Sequence, residues 1–288
     1  MKDKFHQIYR NSIDNPEDFW QKNSEDIFWF KKPSKILNKS NHPFYKWYED
    51  GITNTCYNAL DIHIDNGKGD KTALIYDSPI TGNKSKHTYK ELKDKVSKFA
   101  GALLNQGVKK GDRVIIYMPM IPEAVVAMLA CGRIGAIHSV VFGGFASNEL
   151  ASRIDDSKAK ILLTASCGFE PSRTVEYKPL VDEALKLAKH KVERVIFFQR
   201  KGNEVKLNPP VEISWEEALA NSKDTDCVEM NSNDYAYILY TSGTTGIPKG
   251  IVRDIGGHIV ALKWTMKNIY NINEEDVWWS ASDIGWIV

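Results

Sequence analysis

The sequence predicts an α/β fold in which parallel sheets carry helices on both faces. Short apolar runs of strand length alternate along most of the chain with longer segments whose apolar residues recur at helical spacing. The apolar run at residues 235–240 ends in a loop of glycines, hydroxyls and one lysine. Such a loop would leave the carboxyl end of a strand, where folds of this class bind their ligands.

Composition and charge exclude several classes of protein. The 288 residues are enough for one large domain or two modest ones. The formal net charge of +1 provides no field that would attract nucleic acid or an anionic membrane, so we expect neither as a partner. No apolar run approaches the ~20 residues of a membrane span, and the N-terminus lacks the apolar core of a signal peptide. We therefore expect a cytoplasmic protein, with the mitochondrial matrix as the alternative.

Four cysteines are spread along the chain without a Cys-x-x-Cys pair. Cys56, Cys131, Cys167 and Cys227 therefore predict neither a zinc site nor a disulfide framework. The seven histidines are also scattered without ligand spacing. The sequence thus predicts no metal ligands within this chain and favours a reducing environment.

The first 64 residues differ from the rest of the chain. They are dense in aromatic residues and show no period-two alternation. This texture predicts short helices packed onto another surface, with a plain N-terminal cap as the favoured interpretation.

The α/β alternation begins at Lys71. Residues 72–76 are predicted as a strand and 77–86 as a turn-rich connector. Thr88 and Glu91 form the capping box of a helix that ends at Gly107. Further strands are predicted at 114–117, 137–142, 161–164, 195–198, 235–240 and 277–280. Further helices are predicted at 122–134, 149–154, 180–189, from 214 onward, and at 257–270.

Two groups of apolar residues are expected to face the core. In the helix at 180–189 these are Val181, Ala184, Leu185 and Leu187. Near the C-terminus they are Trp278, Trp279 and Trp286, of which Trp286 could also line a small apolar pocket.

The loop after residue 240 has the chemistry of a polyphosphate cradle. It offers closely spaced backbone N–H groups, side-chain hydroxyls and one positive charge. The residues concerned are Thr241, Ser242, Gly243, Thr244, Thr245, Gly246 and Lys249. The spacing differs from the Walker pattern, because Ile247 and Pro248 separate the last of these glycines from the lysine. Phosphate binding is favoured over the alternative, a flexible surface turn.

Two further features permit a ligand contact but do not require one. Phe142-Gly-Gly-Phe145 follows a predicted strand and would allow a close approach to a flat ligand, although a tight turn is favoured on the residues alone. Arg173 could bind a phosphate, whereas a solvated side chain is the favoured interpretation.

Taken together, these motifs resemble those of the adenylate-forming (AMP-binding) enzymes. The segment Tyr240-Thr-Ser-Gly-Thr-Thr-Gly-Ile-Pro-Lys-Gly250 is similar to the signature loop of that superfamily. Residues 140–146 and 251–288 resemble the short-chain acyl-CoA synthetases. Within that branch, Val-Arg-Asp-Ile-Gly-Gly at 252–257 and Ala-Ser-Asp-Ile-Gly-Trp at 281–286 are closer to propionyl-CoA than to acetyl-CoA synthetases.

The resemblance implies a truncated N-terminal portion of the large adenylate-forming domain. Residues 1–64 would be an N-terminal region of acetyl-CoA synthetase type, and residues 65–288 an incomplete AMP-binding domain. The small C-terminal domain would be absent.

The resemblance also implies roles for individual residues. Thr241 to Gly246 and Lys249 would bind the ATP phosphates. Phe142, Gly143 and Gly144 would line the CoA site, and Arg173 would approach the 3′-phosphate of CoA. Acetyl-CoA synthetases have a second arginine where Glu170 stands here, so this contact is altered. Trp286, Ile287 and Val288 would form the acyl pocket, whose apolar Val288 favours propionate.

The implied substrates are a short-chain carboxylate, CoA, and ATP as its Mg²⁺ complex. Acyl-adenylate and pyrophosphate would form first, and CoA would then displace AMP. Propionate is favoured, and an acetate–CoA ligase is the alternative.

The chain ends at Val288, inside a motif that the family continues. The magnesium-binding glutamate, the ribose-binding aspartate and the adenylation lysine would lie beyond that point. We therefore expect the chain alone to be inactive and poorly stable. An incomplete sequence, a frameshifted gene and one half of a split enzyme with a separate C-terminal half stay open. A non-catalytic scaffold also stays open, and a P-loop NTPase is disfavoured by the loop spacing.

Overall fold

The computed structural model describes residues 2–241 and 248–286. Within them the strands are β1 (Leu37–Asn38), β2 (Lys46–Trp47), β3 (Ile52–Thr53), β4 (Thr72–Ser78), β5 (Asn83–Thr88), β6 (Arg113–Tyr117), β7 (Ile137–Val140), β8 (Ile161–Ala165), β9 (Cys167–Glu170), β10 (Arg173–Glu176), β11 (Arg194–Phe198), β12 (Glu212–Ser214), β13 (Met230–Asn231), β14 (Tyr235–Thr241) and β15 (Lys249–Asp254). The helices are α1 (Lys2–Asp14), α2 (Pro16–Ser24), α3 (Ile62–Asp65), α4 (Tyr89–Asn105), α5 (Pro122–Ile134), α6 (Ser147–Ser157), α7 (Tyr177–Leu187), α8 (Trp215–Leu219) and α9 (Gly256–Asn268). A π-helical turn, Tyr57–Asp61, precedes α3.

The largest sheet of the described residues has seven strands in the order β12-β11-β8-β6-β7-β14-β15. Its neighbouring strands are parallel, except for β14 and β15, which are antiparallel. Parallel neighbours need long crossovers, which the helices between the strands supply. The predicted α/β class is therefore confirmed, and β6, α5 and β7 form a βαβ unit.

Helices lie on both faces of this sheet. The connection from β6 through α5 to β7 runs one way across the sheet, whereas the connections through α6 and α7 run the other way. Because such crossovers are right-handed, α5 lies on one face and α6 and α7 on the other. Accordingly, α5 packs with α4, and α6 packs with α7. The connections that leave the neighbouring strands β6 and β8 run in opposite directions, so the switch point lies between these two strands, and ligands bind at the carboxyl end of such a point.

The central strands are buried on both sides. Val114 to Tyr117 of β6 and every residue of β8 are buried. Continuous apolar runs are typical of parallel strands covered on both faces, which is why the sequence predicts these strands correctly.

Helix α4 begins and ends as predicted. The Thr88 hydroxyl accepts a hydrogen bond from the Glu91 backbone N–H at 3.2 Å, and the Glu91 carboxylate accepts one from the Thr88 N–H at 2.9 Å. At the other end, Gly107 has a φ of 82° and its N–H donates to the Leu104 carbonyl. Both ends therefore satisfy backbone groups that the helix leaves unpaired.

Residues 72–76 do not join the parallel sheet. Strand β4 pairs with β5 in an antiparallel hairpin, so the predicted connector at 77–86 contains part of a strand. Most β5 side chains are polar and none is buried. Since this hairpin lies outside the main sheet, no apolar alternation marks its second strand.

The predicted strand at 277–280 is absent from the described residues, and its tryptophans are not in the core. Trp278, Trp279 and Trp286 are 46%, 82% and 48% exposed. No described strand pairs with this segment. An apolar run becomes a strand only where a neighbour satisfies its backbone hydrogen bonds.

Helix α7 starts earlier than predicted, at Tyr177, and ends at Leu187. Val181 and Ala184 are fully buried as expected, and Leu185 packs at the edge of the core. Leu187 is exposed, contrary to prediction, at the residue where the helix ends.

The N-terminal segment packs onto α9. Ile27 and Trp29 form a cluster with Ile259 and Val260 of that helix. The prediction of helices packed onto another surface is confirmed, since α2 also contacts α9. Across residues 2–241 and 248–286, every helix falls short of the length and apolar character needed to cross a membrane.

Candidate functional site

The loop after β7 extends over the carboxyl end of β6, where it borders the switch point, and it approaches its neighbours closely. A Cβ atom on Gly143 would lie 2.2 Å from the Tyr177 hydroxyl oxygen and 3.3 Å from the Met118 carbonyl oxygen. Only glycine fits there without displacing another group. Gly143 therefore lets Tyr177, at the start of α7, pack directly against this loop.

Tyr177 also connects the loop to the neighbouring strands. A Cβ atom on Gly168, in β9, would lie 2.8 Å from the same hydroxyl oxygen. The Tyr177 ring stacks on Tyr117, with 4.9 Å between the ring centroids. The Tyr117 hydroxyl in turn donates to the Phe145 carbonyl at 2.7 Å. The two stacked tyrosines thus fix the loop against the carboxyl ends of β6 and β8.

Trp286 packs against the same loop. Its ring centroid lies 6.2 Å from that of Phe142 and 6.3 Å from that of Phe145. Gly285 permits this approach, because a Cβ atom there would lie 3.1 Å from the Phe142 backbone nitrogen. The chain from 283 to 286 therefore forms one wall beside the loop after β7.

Lys249 and Thr241 occupy the two ends of the glycine and hydroxyl loop. Thr241 is the last residue of β14 and lies opposite Lys249, the first residue of β15. The predicted strand at 235–240 is confirmed as β14, whereas residues 242–247 of the predicted loop lie outside the described residues. The return strand β15 is not predicted by the sequence, and it makes the loop the tip of a hairpin. Lys249 is exposed at this tip.

Arg153 of α6 joins the hairpin to the loop after β7. Its guanidinium carbon lies 4.8 Å from the Phe145 ring centroid and 5.3 Å from that of Tyr240. The Tyr240 hydroxyl donates to the Asp156 carboxylate at 2.7 Å. Arg153 is buried and forms an ion pair with Glu149 at 2.7 Å. These contacts hold the end of β14 at a fixed position against the loop after β7.

Arg173 lies on the β9–β10 hairpin and is paired with Glu170. Its Nε atom is 2.8 Å from a Glu170 carboxylate oxygen. Arg200 follows β11, and its guanidinium carbon lies 4.4 Å from the ring centroid of Phe169 in β9. The described residues therefore place two arginines near the hairpin, one of which has its charge balanced by Glu170.

Two family models match the chain. One, described as AMP-binding enzyme, matches residues 63–288. The other, described as Acetyl-coenzyme A synthetase N-terminus, matches residues 5–59. The chain belongs to the AMP-binding enzyme family.

Relatives of this AMP-binding enzyme are found among short-chain acyl-CoA synthetases. Acyl-CoA synthetase short-chain family member 3, mitochondrial, of Homo sapiens is 53% identical over 278 residues, which cover 96% of the chain and 40% of the relative. Acetyl-coenzyme A synthetase of Xylella fastidiosa is 43% identical over 288 residues, which cover 97% of the chain and 44% of the relative.

A solved structure shows the same fold. Acetoacetyl-CoA Synthetase from Streptomyces lividans superposes with a TM-score of 0.87 at 25% sequence identity, over 96% of this chain and 42% of that one. The AMP-binding enzyme described here thus spans well under half the length of the relatives it matches. Its fold corresponds to the N-terminal part of the adenylate-forming domain.

The structure brings some of the predicted site residues together. Phe142, Gly143 and Trp286 meet at the loop after β7, and Thr241 and Lys249 face each other across the hairpin. Gly144 belongs to the same loop, where a Cβ atom would lie 2.5 Å from the Phe142 ring. The remaining predicted residues, apart from Arg173, lie outside the described part of the chain: Ser242, Gly243, Thr244, Thr245, Gly246, Ile287 and Val288.

Three residues that hold the loop after β7 and its neighbours in place are not predicted from the sequence: Tyr177, Arg153 and Asp283. Burial, with Tyr117 and Asp283 nearby, raises the pKa of Tyr177, so its hydroxyl stays protonated. Burial also raises the pKa of Asp283, whose carboxylate accepts from the Gly285 N–H at 2.7 Å. The only sequence signal for Tyr177 was indirect. Gly143 follows β7 and Gly168 lies near the start of β9, and a glycine at such a position can indicate that a bulky neighbour comes close.

Candidate metal ligands in the described residues lie elsewhere. The group that could hold an ion consists of Cys56, Asp61 and Cys227, none of which belongs to this site. The hydroxyl and ammonium groups at the hairpin suit phosphate rather than a bare cation.

Proposed function

We propose that this chain supplies part of a short-chain acyl-CoA synthetase, an AMP-forming ligase that joins a carboxylic acid to CoA. The observation that supports this most is the β14–β15 hairpin, in which Lys249 faces Thr241 at the ends of the signature loop. Arg153 links the hairpin to the aromatic loop at the switch point. A phosphate-binding tip beside a ligand crevice is the arrangement that activation of an acid by ATP requires.

The proposed reaction has two displacements. A carboxylate oxygen attacks the α-phosphorus of ATP, an acyl-adenylate forms and pyrophosphate leaves. The CoA thiolate then attacks the acyl carbon, a thioester forms and AMP leaves. Phosphoryl chemistry of this kind depends on positioning and neutralisation of charge, so Lys249 and the loop from Thr241 to Gly246 are proposed to position the phosphates. Mg²⁺ supplies charge neutralisation on the same oxygens.

Propionate is the acid that we propose as the preferred substrate. Trp286 packs on Phe142, so the wall nearest the proposed CoA entrance is aromatic and apolar. The next two positions, Ile287 and Val288, are also apolar in the sequence. An additional methylene in such a pocket changes binding by only ~1–3 kcal/mol, so acetate should be a slower alternative substrate.

Acid-dependent exchange of labelled pyrophosphate into ATP tests this function. We would measure it on the chain alone and on a fusion that continues after Val288 with the part of the human relative that follows its matching region. The fusion is expected to catalyse exchange with propionate, and less with acetate. Lys249→Ala should lower the exchange rate by about 100-fold, because a phosphate-positioning charge is lost. Lys206→Ala, an exposed lysine outside the site, is the matched control.

The outcomes separate the competing readings. ATP hydrolysis by the fusion without any need for an acid would contradict the proposed ligase. Exchange by the chain alone would contradict the expectation that it is inactive by itself. Exchange restored by adding the C-terminal part as a separate polypeptide would support the idea of a separate C-terminal half.

Glu170 is proposed to weaken recognition of the CoA 3′-phosphate. Its carboxylate lies 2.8 Å from Arg173 Nε, so a phosphate must displace it to reach that arginine. Both side chains are exposed, so water screens the pair and its effect should be small. We expect Glu170→Gln to increase the preference for CoA over 3′-dephospho-CoA by about threefold.

Equilibrium binding of both ligands to the wild type, Glu170→Gln and Arg173→Gln would check this. Arg173→Gln should abolish the preference. An unchanged preference in both variants would mean that Arg173 does not face the 3′-phosphate, and would leave the ligase proposal intact.

The cytoplasmic location and the mitochondrial alternative stay predictions that imaging of the tagged protein would test.

A further inference from the structure

A buried cluster that shares no residue with the proposed site brings two cysteines together. Cys56 lies just before the π-helical turn, Asp61 ends that turn, and Arg133 lies near the end of α5. Cys227 lies in the segment between α8 and β13. The two sulfur atoms and the closest Asp61 oxygen all lie within 4.8 Å of one another. The wide sequence spacing of the cysteines therefore conceals a close pair.

Arg133 lies at the centre of this cluster. Its Nη1 atom is 2.7 Å from an Asp61 oxygen, 3.2 Å from the Cys227 sulfur and 3.6 Å from the Cys56 sulfur. Its Nη2 atom donates to the second Asp61 oxygen at 3.0 Å, and its Nε atom donates to the Thr225 carbonyl. The guanidinium is fully buried. It thus orients both sulfur atoms toward one point.

The backbone on both sides is held in register. The Asn54 side-chain amide donates to the Val228 carbonyl at 2.9 Å, and its side-chain oxygen accepts from the Cys56 N–H at 2.8 Å. The Val228 N–H donates to the Arg133 carbonyl at 2.9 Å. One asparagine therefore connects the residue after Cys227 directly to Cys56. The proximity of the two thiols is built into the backbone.

The arrangement does not suit a metal ion. Only three ligand atoms are present in the group, whereas a structural zinc site has four. The guanidinium Nη1 already contacts all three of them. A cation placed among these ligands would be repelled by the buried guanidinium of Arg133, which its hydrogen bonds hold in place.

The charges of the cluster favour a thiolate instead. Arg133 and Lys93, whose Nζ atom is 3.2 Å from Asp61, bring two positive charges against the single negative charge of Asp61. One deprotonated sulfur makes the cluster neutral. A hydrogen bond from Cys227, followed by the charge of Arg133, lowers the pKa of Cys56 despite its burial. Among residues 2–241 and 248–286 no such partner is found for Cys131, and burial raises its pKa to about 12.

We propose that Cys56 and Cys227 form a redox-active pair, which a hydroperoxide or a small disulfide converts reversibly into an intramolecular disulfide. Cys227 is half-buried and takes the oxidant, whereas Cys56 is fully buried and resolves the intermediate. Rotation of the side chains closes the gap to the disulfide bond length of about 2.05 Å. The bond would tie the segment before β13 to the start of the π-helical turn.

The chemistry balances with a hydroperoxide as the oxidant. A hydrogen bond to Cys56, followed by burial, raises the pKa of Cys227, so its proton first passes along that bond to Cys56. The Cys227 sulfur then attacks the terminal peroxide oxygen, an S–O bond forms, the O–O bond breaks, and the departing oxygen takes the proton back from Cys56 and leaves as alcohol or water. The Cys56 thiolate then attacks the sulfur of this sulfenic acid. The S–S bond forms and the displaced hydroxide takes a proton from solvent and leaves as water, so two cysteine sulfurs are oxidised and one peroxide is reduced. A dithiol reductant reverses the reaction by exchange.

Thiol counting and peptide mapping of the whole chain test the proposal. Under hydrogen peroxide, the wild type should lose two of its four free thiols and yield one cross-linked peptide that contains Cys56 and Cys227. Dithiothreitol should restore all four. Cys131→Ser is the matched control, because it removes a buried thiol outside the cluster and should leave the cross-link unchanged.

Variants within the cluster separate the proposed roles. Cys56→Ser should stop at a sulfenic acid on Cys227, detected by dimedone labelling. Arg133→Lys retains the charge but loses the forked contacts, and should slow formation of the cross-link several-fold. Circular dichroism shows whether Arg133→Lys is still folded. Lys93→Gln is a second variant that removes a positive charge of the cluster, and it should also slow formation of the cross-link.

Two outcomes would overturn the proposal. One is a failure of selective oxidation under hydrogen peroxide. In that case the wild type either keeps four thiols or oxidises at Cys131 and Cys167 as fast as at Cys227. The other is retention of one zinc ion per chain through gel filtration that is lost in Cys227→Ser, which would assign the cluster to a metal.

Discussion

At the scale of single residues, the site depends on close packing around one tyrosine. Gly143 and Gly168 both come so near the Tyr177 hydroxyl that a Cβ atom on either would lie within 3 Å of it. Sequence patterns identify the glycines but not the group that they accommodate, because Tyr177 contacts them only through the tertiary fold. Arg153 is similar, since nothing in its helix indicates two aromatic partners on other elements.

Gly143→Ala should therefore destabilise the protein by about 1–3 kcal/mol, since the added methyl group overpacks the loop. The methyl carbon would lie 2.2 Å from the Tyr177 hydroxyl oxygen. Without that hydroxyl, the nearest Tyr177 atom is 3.1 Å away, so Tyr177→Phe in the same chain should recover part of the loss. Urea unfolding of both single variants and the double variant measures this. Equal destabilisation with and without the Tyr177 hydroxyl would show that the clash is not the cause.

At the scale of elements, those with complete local signals are predicted well. Helix α5 is predicted with its observed ends, because Pro122 starts it and Gly135, with a φ of 72°, ends it. Strand β15 and the β9–β10 hairpin are missed, because none of the three strands shows a regular alternation of apolar and polar residues. The run at 277–280 has the opposite problem, having strand composition but no partner strand in the described chain.

The contact between α9 and β14 predicts a dependence of stability on pH. His258 of α9 lies 2.6 Å from the Tyr237 hydroxyl of β14. Burial, followed by the nearby Arg253 charge, lowers the pKa of His258 to about 4. In the unfolded chain its pKa is about 6.5. Between these values the unfolded state binds a proton that the folded state does not, so stability should fall as the pH falls from ~6.5 to ~4.

Replacing His258 by Gln, which can still accept from Tyr237, removes this contribution. The free energy of unfolding should then depend less steeply on pH, by about 1.4 kcal/mol per pH unit within that window. Burial also lowers the pKa of His138 to about 4, so part of the slope should persist in this variant. Urea denaturation between pH 7 and pH 4 gives the slopes, and identical slopes for wild type and variant would contradict the assignment.

At the scale of the whole molecule, the fold class was predictable but the strand order was not. Alternation of strands and helices predicts a parallel sheet, yet the position of β6 between β8 and β7 depends on contacts distant in sequence. That order creates the switch point between β6 and β8, which the loop after β7 borders together with Trp286. The chemistry of the signature loop is readable from its residues, whereas the crevice that it serves exists only in the folded sheet.

The central claim is that the tip of the β14–β15 hairpin binds the phosphates of ATP. An acyl phosphate of ATP tests it directly, because a lysine amine beside the bound phosphates attacks the acyl carbon and releases ATP. Peptide mapping of the treated chain, and of the fusion described above, identifies the acylated lysines. We predict that Lys249 is labelled first and that excess ATP protects it, whereas exposed Lys206 reacts slowly and without protection. Labelling of Lys249 that matches Lys206 and is insensitive to ATP would contradict the claim.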